Sequence, residues 1–137
     1  MLRKITWSDK PLLDQWIAND PEHRALFLPE FFYEVNRVSF VIEDNQGPVM
    51  FVKLDPHPPE MRLFIQFSNS PSRVAKAMLK HFSTVRDIVR KTGAKSMVFD
   101  TKNPKLASFC EKAFGFKCVG QSSDYRLLLL EDQNVQQ

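Results

Sequence analysis

Few side chains in this sequence can bind an anion, move a proton or attack a carbonyl, and their spacing narrows what each can do. The segment Phe67-Ser68-Asn69-Ser70-Pro71-Ser72-Arg73-Val74-Ala75 brings two hydroxyls, Ser70 and Ser72, beside the Arg73 guanidinium. Such a set of donors suits a phosphate; the same residues also read as a helix start, with Ser70 as N-cap and Arg73 on a solvated face. Cys110 and Cys118 supply the two thiols. A thiol is a weak hydrogen-bond donor and, once ionised, a nucleophile, while a free cysteine on an apolar stripe equally reads as a small core residue. Their separation is not a zinc spacing. His23, His57 and His81 do not combine into a metal pattern, because the Pro-rich turn Asp55–Pro59 around His57 is a poor base for converging ligands. With only 4 glycines, the chain has no nucleophile elbow, P-loop or dinucleotide-binding fingerprint.

The elements that must position these groups are punctuated by proline. Asp20-Pro21, Ser70-Pro71 and Asn103-Pro104 each put a capping oxygen before a proline suited to the first helical turn. An earlier start lies at Ser8 or Asp9, so helices are predicted from near residues 9, 21, 71 and 104. Over 71–91, Val74, Ala77, Met78, Phe82, Val85, Ile88 and Val89 form one apolar stripe, with Arg73, Lys76, Lys80, Arg86 and Arg90 opposite and Gly93 as the stop. Over 104–114, Leu106, Phe109, Cys110 and Ala113 recur at i, i+3, i+4 and i+7 before Gly115. Strands are predicted at 2–6, 37–43, 48–54, 61–67, 95–100, 116–120 and 124–130. Residues 44–47 form a hairpin turn, and Asp55–Pro59 ends a strand because proline lacks a ladder donor. The unit 61–67, 71–91, 95–100 implies a right-handed crossover and a parallel pair. The fold class is thus α/β, an α+β mixed sheet with helices on both faces, as a single domain over 1–131 with a polar tail over 132–137.

Composition bounds the rest. The chain has 137 residues, 43% of them hydrophobic and 26% charged, which suits a folded globular domain. The 12 Phe against 2 Tyr and 2 Trp place most aromatic surface inside. A formal charge of +3 is too small to call for nucleic acid, and the basic side of helix 71–91 lacks the aromatics that single-strand stacking requires. No apolar run is long enough for a membrane span. The opening MLRKITWSDK has no apolar stretch after its basic pair, and two cysteines make no disulfide framework, so the expectation is cytoplasmic.

The element order, the strand 61–67 with helix 71–91, and the run Asn103-Pro104-Lys105-Leu106-Ala107-Ser108-Phe109-Cys110-Glu111-Lys112-Ala113-Phe114-Gly115-Phe116 together resemble the GNAT superfamily of N-acyltransferases. The run is similar to that family's ending: an Asn, an Ala and an aromatic pair, then Gly-Phe entering a strand. The resemblance implies transfer of an acyl group from acetyl-CoA or another acyl-CoA to an amine. It places Ile65, Gln66 and Phe67 along the pantetheine, Ser70, Ser72, Arg73 and Val74 at the pyrophosphate, and Asn103 before the final helix. It makes Glu60 the candidate base, puts Cys110 where the family commonly has a proton-donating Tyr, and leaves Tyr125 as an alternative donor. This sequence departs from the family in having no glycine in the phosphate-binding turn, where Pro71 also removes a donor. Trp7, Trp16, Phe27, Phe31, Phe32 and Tyr33 fall where such folds face the acceptor, bordered by Glu30 and Glu34. They read either as a site for an apolar or aromatic amine or as closure of the core. The acceptor would be a small-molecule or peptide amine. The other reading is a GNAT-like module that has lost CoA chemistry and binds a ligand or a protein partner.

Overall fold

A computed structural model describes residues 1–23, 29–34, 37–121 and 123–129 of the chain. Seven strands form one mixed sheet: β1 (Leu2–Lys4), β2 (Val38–Asp44), β3 (Gly47–His57), β4 (Glu60–Phe67), β5 (Ser96–Asp100), β6 (Lys117–Cys118) and β7 (Asp124–Leu128). Their order across the sheet is β1-β2-β3-β4-β5-β7-β6. Among the described residues there are three α-helices, α1 (Lys10–Ala18), α2 (Pro71–Lys91) and α3 (Pro104–Phe114). The chain packs as two compact units, Met1–Leu54 with Phe64–Phe82, and Asp55–Leu63 with Ser83–Gln137. Strand β4 and helix α2 contribute to both.

In the first unit, β1 and β2 pair antiparallel from Leu2↔Ile42 to Lys4↔Phe40, and β2 pairs with β3 from Val38↔Leu54 to Asp44↔Gly47. Phe40, Val41 and Ile42 are all buried, as are residues 49–54. The alternation expected for a strand with one wet face therefore fails here, because the middle of these strands is covered on both faces. Leu13 and Ile17 of α1, Phe32, Val41 and Phe51 form the core of this unit. Helix α1 starts at Lys10, after a single 3-10 turn over Trp7–Asp9. The Asp9 carboxylate accepts from the Thr6 backbone N–H at 2.9 Å and pairs with Arg3 at 2.7 Å, which holds the entry to the helix against β1.

Two expectations change in this unit and its neighbour. Residues 21–23 form a turn, tied down by Asp20 Oδ1, which accepts from the Glu22 N–H at 2.9 Å and the His23 N–H at 3.2 Å. Asp20 thus caps as its position predicts, and the rest of the helix expected there lies outside the described residues. Strand β3 runs on through Pro56 to His57, although proline was expected to end it. Among the described residues its ladder with β2 reaches Val38↔Leu54.

In the second unit, β4 and β5 pair in parallel from Glu60↔Ser96 to Arg62↔Val98, as the strand–helix–strand unit requires. Strands β5 and β7 pair antiparallel over five residues, and β6 adds two pairs to β7. Met61, Leu63, Val85, Val89, Met97, Val98, Phe99, Ala107, Cys110, Phe116 and Leu129 are buried. Helix α3 is capped at both ends as its sequence predicts. Asn103 Oδ1 accepts from the Lys105 and Leu106 N–H groups at 3.0 and 3.3 Å, and Gly115, at φ 85°, returns its N–H to the Cys110 and Glu111 carbonyls. Only glycine takes that left-handed conformation without a Cβ penalty.

Candidate active site

The residues assigned to a cofactor lie mostly on the second half of β4 and the first turns of α2. The ladder from β4 to β5 covers Glu60, Met61 and Arg62, whereas β4 continues to Phe67. On that edge, the backbone of Leu63–Phe67 lies beyond the ladder. Ile65 and Phe67 are half-buried, and Gln66 is 1% exposed. The helical ladder of α2 begins with the Val74 N–H donating to the Ser70 carbonyl at 3.0 Å, which leaves the Ser72 and Arg73 N–H groups ahead of the first intrahelical bond. Ser68 Oγ accepts from the Ser70 N–H at 3.3 Å. Ser72 is exposed, Ser70 is half-buried, and Val74 is buried.

Arg73 does not project freely from this helix start. Its Nε and one terminal nitrogen donate to the two Asp44 carboxylate oxygens, both at 2.7 Å, and the terminal nitrogen also reaches the Gly47 carbonyl at 3.2 Å. The guanidinium thereby fastens α2 to the β2–β3 turn. It also holds the Asp44 carboxyl low, at about 2.

Gln66 meets two residues that the sequence does not connect with it. Its Oε1 lies 2.8 Å from His23 Nδ1, and its Nε2 donates to Asp20 Oδ2 at 3.1 Å and toward the Phe67 carbonyl at 3.4 Å. His23 Nδ1 is also 3.3 Å from Asp20 Oδ2. The sequence reading considered His23 only as a metal ligand and missed this cluster; the available signal was a histidine three residues after a capping aspartate. Lys53 was missed as well. It lies in the apolar run of β3 with 0% exposure, its ammonium 3.4 Å from the Phe31 ring centroid and bonded to the Glu34 carboxylate. Glu30 likewise faces Lys10 at 3.4 Å. Both carboxylates expected to attract an amine therefore already hold a lysine. Among the aromatics, Trp7 stacks on Tyr33 at 4.1 Å and Trp16 packs edge-on to Phe51; Phe27 lies outside the described residues.

The remaining candidates belong to the second unit. Glu60 Oε2 accepts from Arg126 Nε and from Ser96 Oγ, so this carboxylate bridges β4, β5 and β7. Asn103 and Tyr125 line one cleft of about 310 Å³ together with Thr101 and Ser123. The Asn103 side-chain oxygen is spent on the cap of α3. Tyr125 stacks on Phe99 at 5.8 Å between centroids, and desolvation, then Cys118 and Glu111, push its phenol up. Cys110 does not reach that cleft. It is 2% exposed, and burial pushes its thiol up to about 12, which makes it a poor acid and a poor nucleophile near neutral pH. Among the described residues no group of three or more His, Cys, Asp or Glu could hold a metal. No described helix is long and apolar enough to cross a membrane.

Solved structures share this arrangement of elements. The chain has the fold of the GNAT acetyltransferases. A GNAT-family acetyltransferase from Staphylococcus aureus Mu50 superposes with a TM-score of 0.73 at 13% identity, over 95% of this chain and 99% of that one. A putative GNAT acetyltransferase from Desulfovibrio desulfuricans gives 0.70 at 16% identity, with the same coverage. The ribosomal-protein-S18-alanine N-acetyltransferase of Escherichia coli gives 0.68 at 14% identity, over 94% of this chain and 93% of that one. No protein-family model and no curated protein sequence matches the chain.

Proposed function

We propose that this protein is an N-acyltransferase that moves an acyl group from acetyl-CoA or a related acyl-CoA to an amine. The observation that carries this reading is the length of β4 beyond its three-residue ladder with β5. Main-chain N–H and C=O groups on an open strand edge pair with an extended amide chain as they would with another strand, and pantetheine is such a chain. Ile65 to Phe67 supply that edge. The α2 start supports the phosphate end, since the Ser72 and Arg73 N–H groups and the Ser70 and Ser72 hydroxyls are donors near the positive end of a 21-residue helix. In this reading the Arg73 side chain braces the helix start through Asp44 rather than gripping phosphate, Glu60 braces the sheet through Arg126, and Asn103 caps α3. Tyr125, in the cleft beside α3, is the candidate donor to the departing thiolate. The acceptor is a small-molecule or peptide amine.

A second reading, a CoA-free module that binds a ligand or a protein, draws support from one feature: Pro71 removes an N–H from the helix start, and Asp44 occupies the guanidinium nearest to it. Isothermal titration with acetyl-CoA and with free CoA separates the two. Binding in the micromolar range, similar for wild type and Arg73→Ala, is the expected result. No binding at millimolar ligand would end the acyltransferase reading and leave the module.

A further inference from the structure

Helix α2 carries Arg73, Lys76, Ala77 and Lys80 at i, i+3, i+4 and i+7, which is one stripe of an α-helix. That stripe lines a cavity of about 600 Å³, and the β2–β3 turn from Glu43 to Gln46 lines it from across. Ser70 and Ser72, the hydroxyls proposed above for the cofactor's phosphate end, are not among the lining residues. We propose that this cavity is a second ligand site, and that it takes a small molecule carrying a diphosphate.

The balance of charge at the cavity carries the argument. Its two carboxylates are already paired. Asp44 accepts two bonds from Arg73, both at 2.7 Å, and Glu43 pairs with Arg3 at 3.1 Å. Lys76 and Lys80 make no ion pair or hydrogen bond with any described residue, so two positive charges stand there uncompensated. Arg73 spends Nε and one terminal nitrogen on Asp44 and the Gly47 carbonyl. Its other terminal nitrogen has no partner among the described residues.

Ammonium and guanidinium groups with donors to spare bind phosphate oxygens through charge-assisted hydrogen bonds. Their spacing selects a diphosphate over a single anion. Lys76 and Lys80 are four residues apart, about 6 Å along the helix axis, so their flexible stems converge on two neighbouring phosphate groups. Ala77, 7% exposed, lies between them, and its single methyl leaves the floor of the cavity open. The side-chain amides of Asn45 and Gln46 add neutral donors on the facing wall. The volume falls within the range of about 300–1,000 Å³ usual for small-molecule sites, which suits a ligand larger than a lone ion.

Titration calorimetry of the intact protein with inorganic pyrophosphate and with ADP, at fixed ionic strength, tests the proposal. One-to-one binding is expected, and the ratio of the two affinities tells a nucleotide from a free phosphate as the source of the diphosphate. Lys76→Gln and Lys80→Gln should each lower affinity about tenfold, with acetyl-CoA affinity unchanged in the double variant. Both lysines are exposed, so the circular dichroism spectrum should stay as in wild type. Amide NMR shifts on adding pyrophosphate should gather at 43–46 and 73–80. No binding of either probe at millimolar concentration, an unchanged affinity in the double variant, or shifts confined to 68–72 would overturn the site. Equal loss of pyrophosphate and acetyl-CoA binding in the double variant would also overturn it, by making the cavity part of the cofactor's own site. A protein that binds pyrophosphate as expected but no acetyl-CoA would support the second site and end the acyltransferase reading alone.

Discussion

Removing the negative charge from Glu34 is expected to destabilise the protein far more than a surface charge change would. The Lys53 ammonium has 0% exposure, whereas the Glu34 side chain is 53% exposed. Exposed pairs contribute about 0.2–1 kcal/mol, and removing one partner of a fully buried pair costs about 3–5 kcal/mol because an uncompensated charge stays behind. Here the ion left behind is the buried one. The Phe31 face at 3.4 Å still stabilises it by about 1–2 kcal/mol, so Glu34→Gln should cost about 2 kcal/mol, a fall in Tm of roughly 6–10 °C for a chain of this size. The converse change is milder. Lys53→Met removes the buried charge at similar volume and leaves a carboxylate that water reaches, for about 1 kcal/mol or less. Glu34→Gln should then add little in the Lys53→Met background, giving a coupling energy near 2 kcal/mol in a double-mutant cycle. Urea unfolding of the four proteins measures all terms. If Glu34→Gln costs under about 0.5 kcal/mol, or if the two changes are additive, the ammonium is not held as this geometry has it.

Asp44 gives a pH prediction. Its folded pKa is lowered to about 2 by the Arg73 hydrogen bonds, below the unfolded carboxylate value near 3.9. The resulting stabilisation is complete above the unfolded value and disappears as pH falls through the folded one. The Tm gap between wild type and Asp44→Asn should therefore be constant at neutral pH and close between about pH 4 and pH 2; a gap that does not change over that window would contradict the pairing. The thiols should react unequally, since Cys118 is exposed and Cys110 is buried with its pKa near 12. A chromogenic disulfide at pH 8 should label one thiol quickly in the native protein and both in urea. Asn103→Ala should cost about 1 kcal/mol through the lost cap of α3, with acetyl-CoA affinity unchanged; an affinity loss without a stability loss would instead make Asn103 a ligand contact.

The parts of the fold that were legible in the sequence are those whose signal is local. Helices α2 and α3 begin and end where Ser70-Pro71, Asn103-Pro104, Gly93 and Gly115 place them, because caps and 3.6-residue stripes act within a few residues. Pro58 and Pro59 fall in the turn after β3 as expected, and only Pro56 misled, because whether a strand tolerates proline depends on the neighbour at that edge and not on the local sequence. The candidate site was legible as a segment and not as a set of side chains. Arg73 reads as a phosphate ligand until Asp44, 29 residues earlier, is seen to hold it. Cys110 kept its stripe position in the core, so its alignment with a family tyrosine carried no proton donor into the cleft. The His23–Gln66 contact spans 43 residues, and no periodicity or spacing rule reports a contact of that range.

Across both units, the charged groups that look chemically capable in the sequence are already paired with opposite charges: Arg73 with Asp44, Glu60 with Arg126, Arg62 with Asp124, Glu34 with Lys53, Glu30 with Lys10. On the acyl-transfer reading this is consistent, because the tasks that remain are those a backbone can do. An open strand edge and the N–H groups at a helix start recognise amides and phosphates through main-chain atoms, which every residue type supplies. A fold that works in this way tolerates wide sequence change, and this chain superposes on acetyltransferases at 13–16% identity. A change that removes the Ser72 N–H from the α2 start should therefore weaken acyl-CoA binding on this reading, whereas Arg73→Ala, which removes only the brace to Asp44, should not.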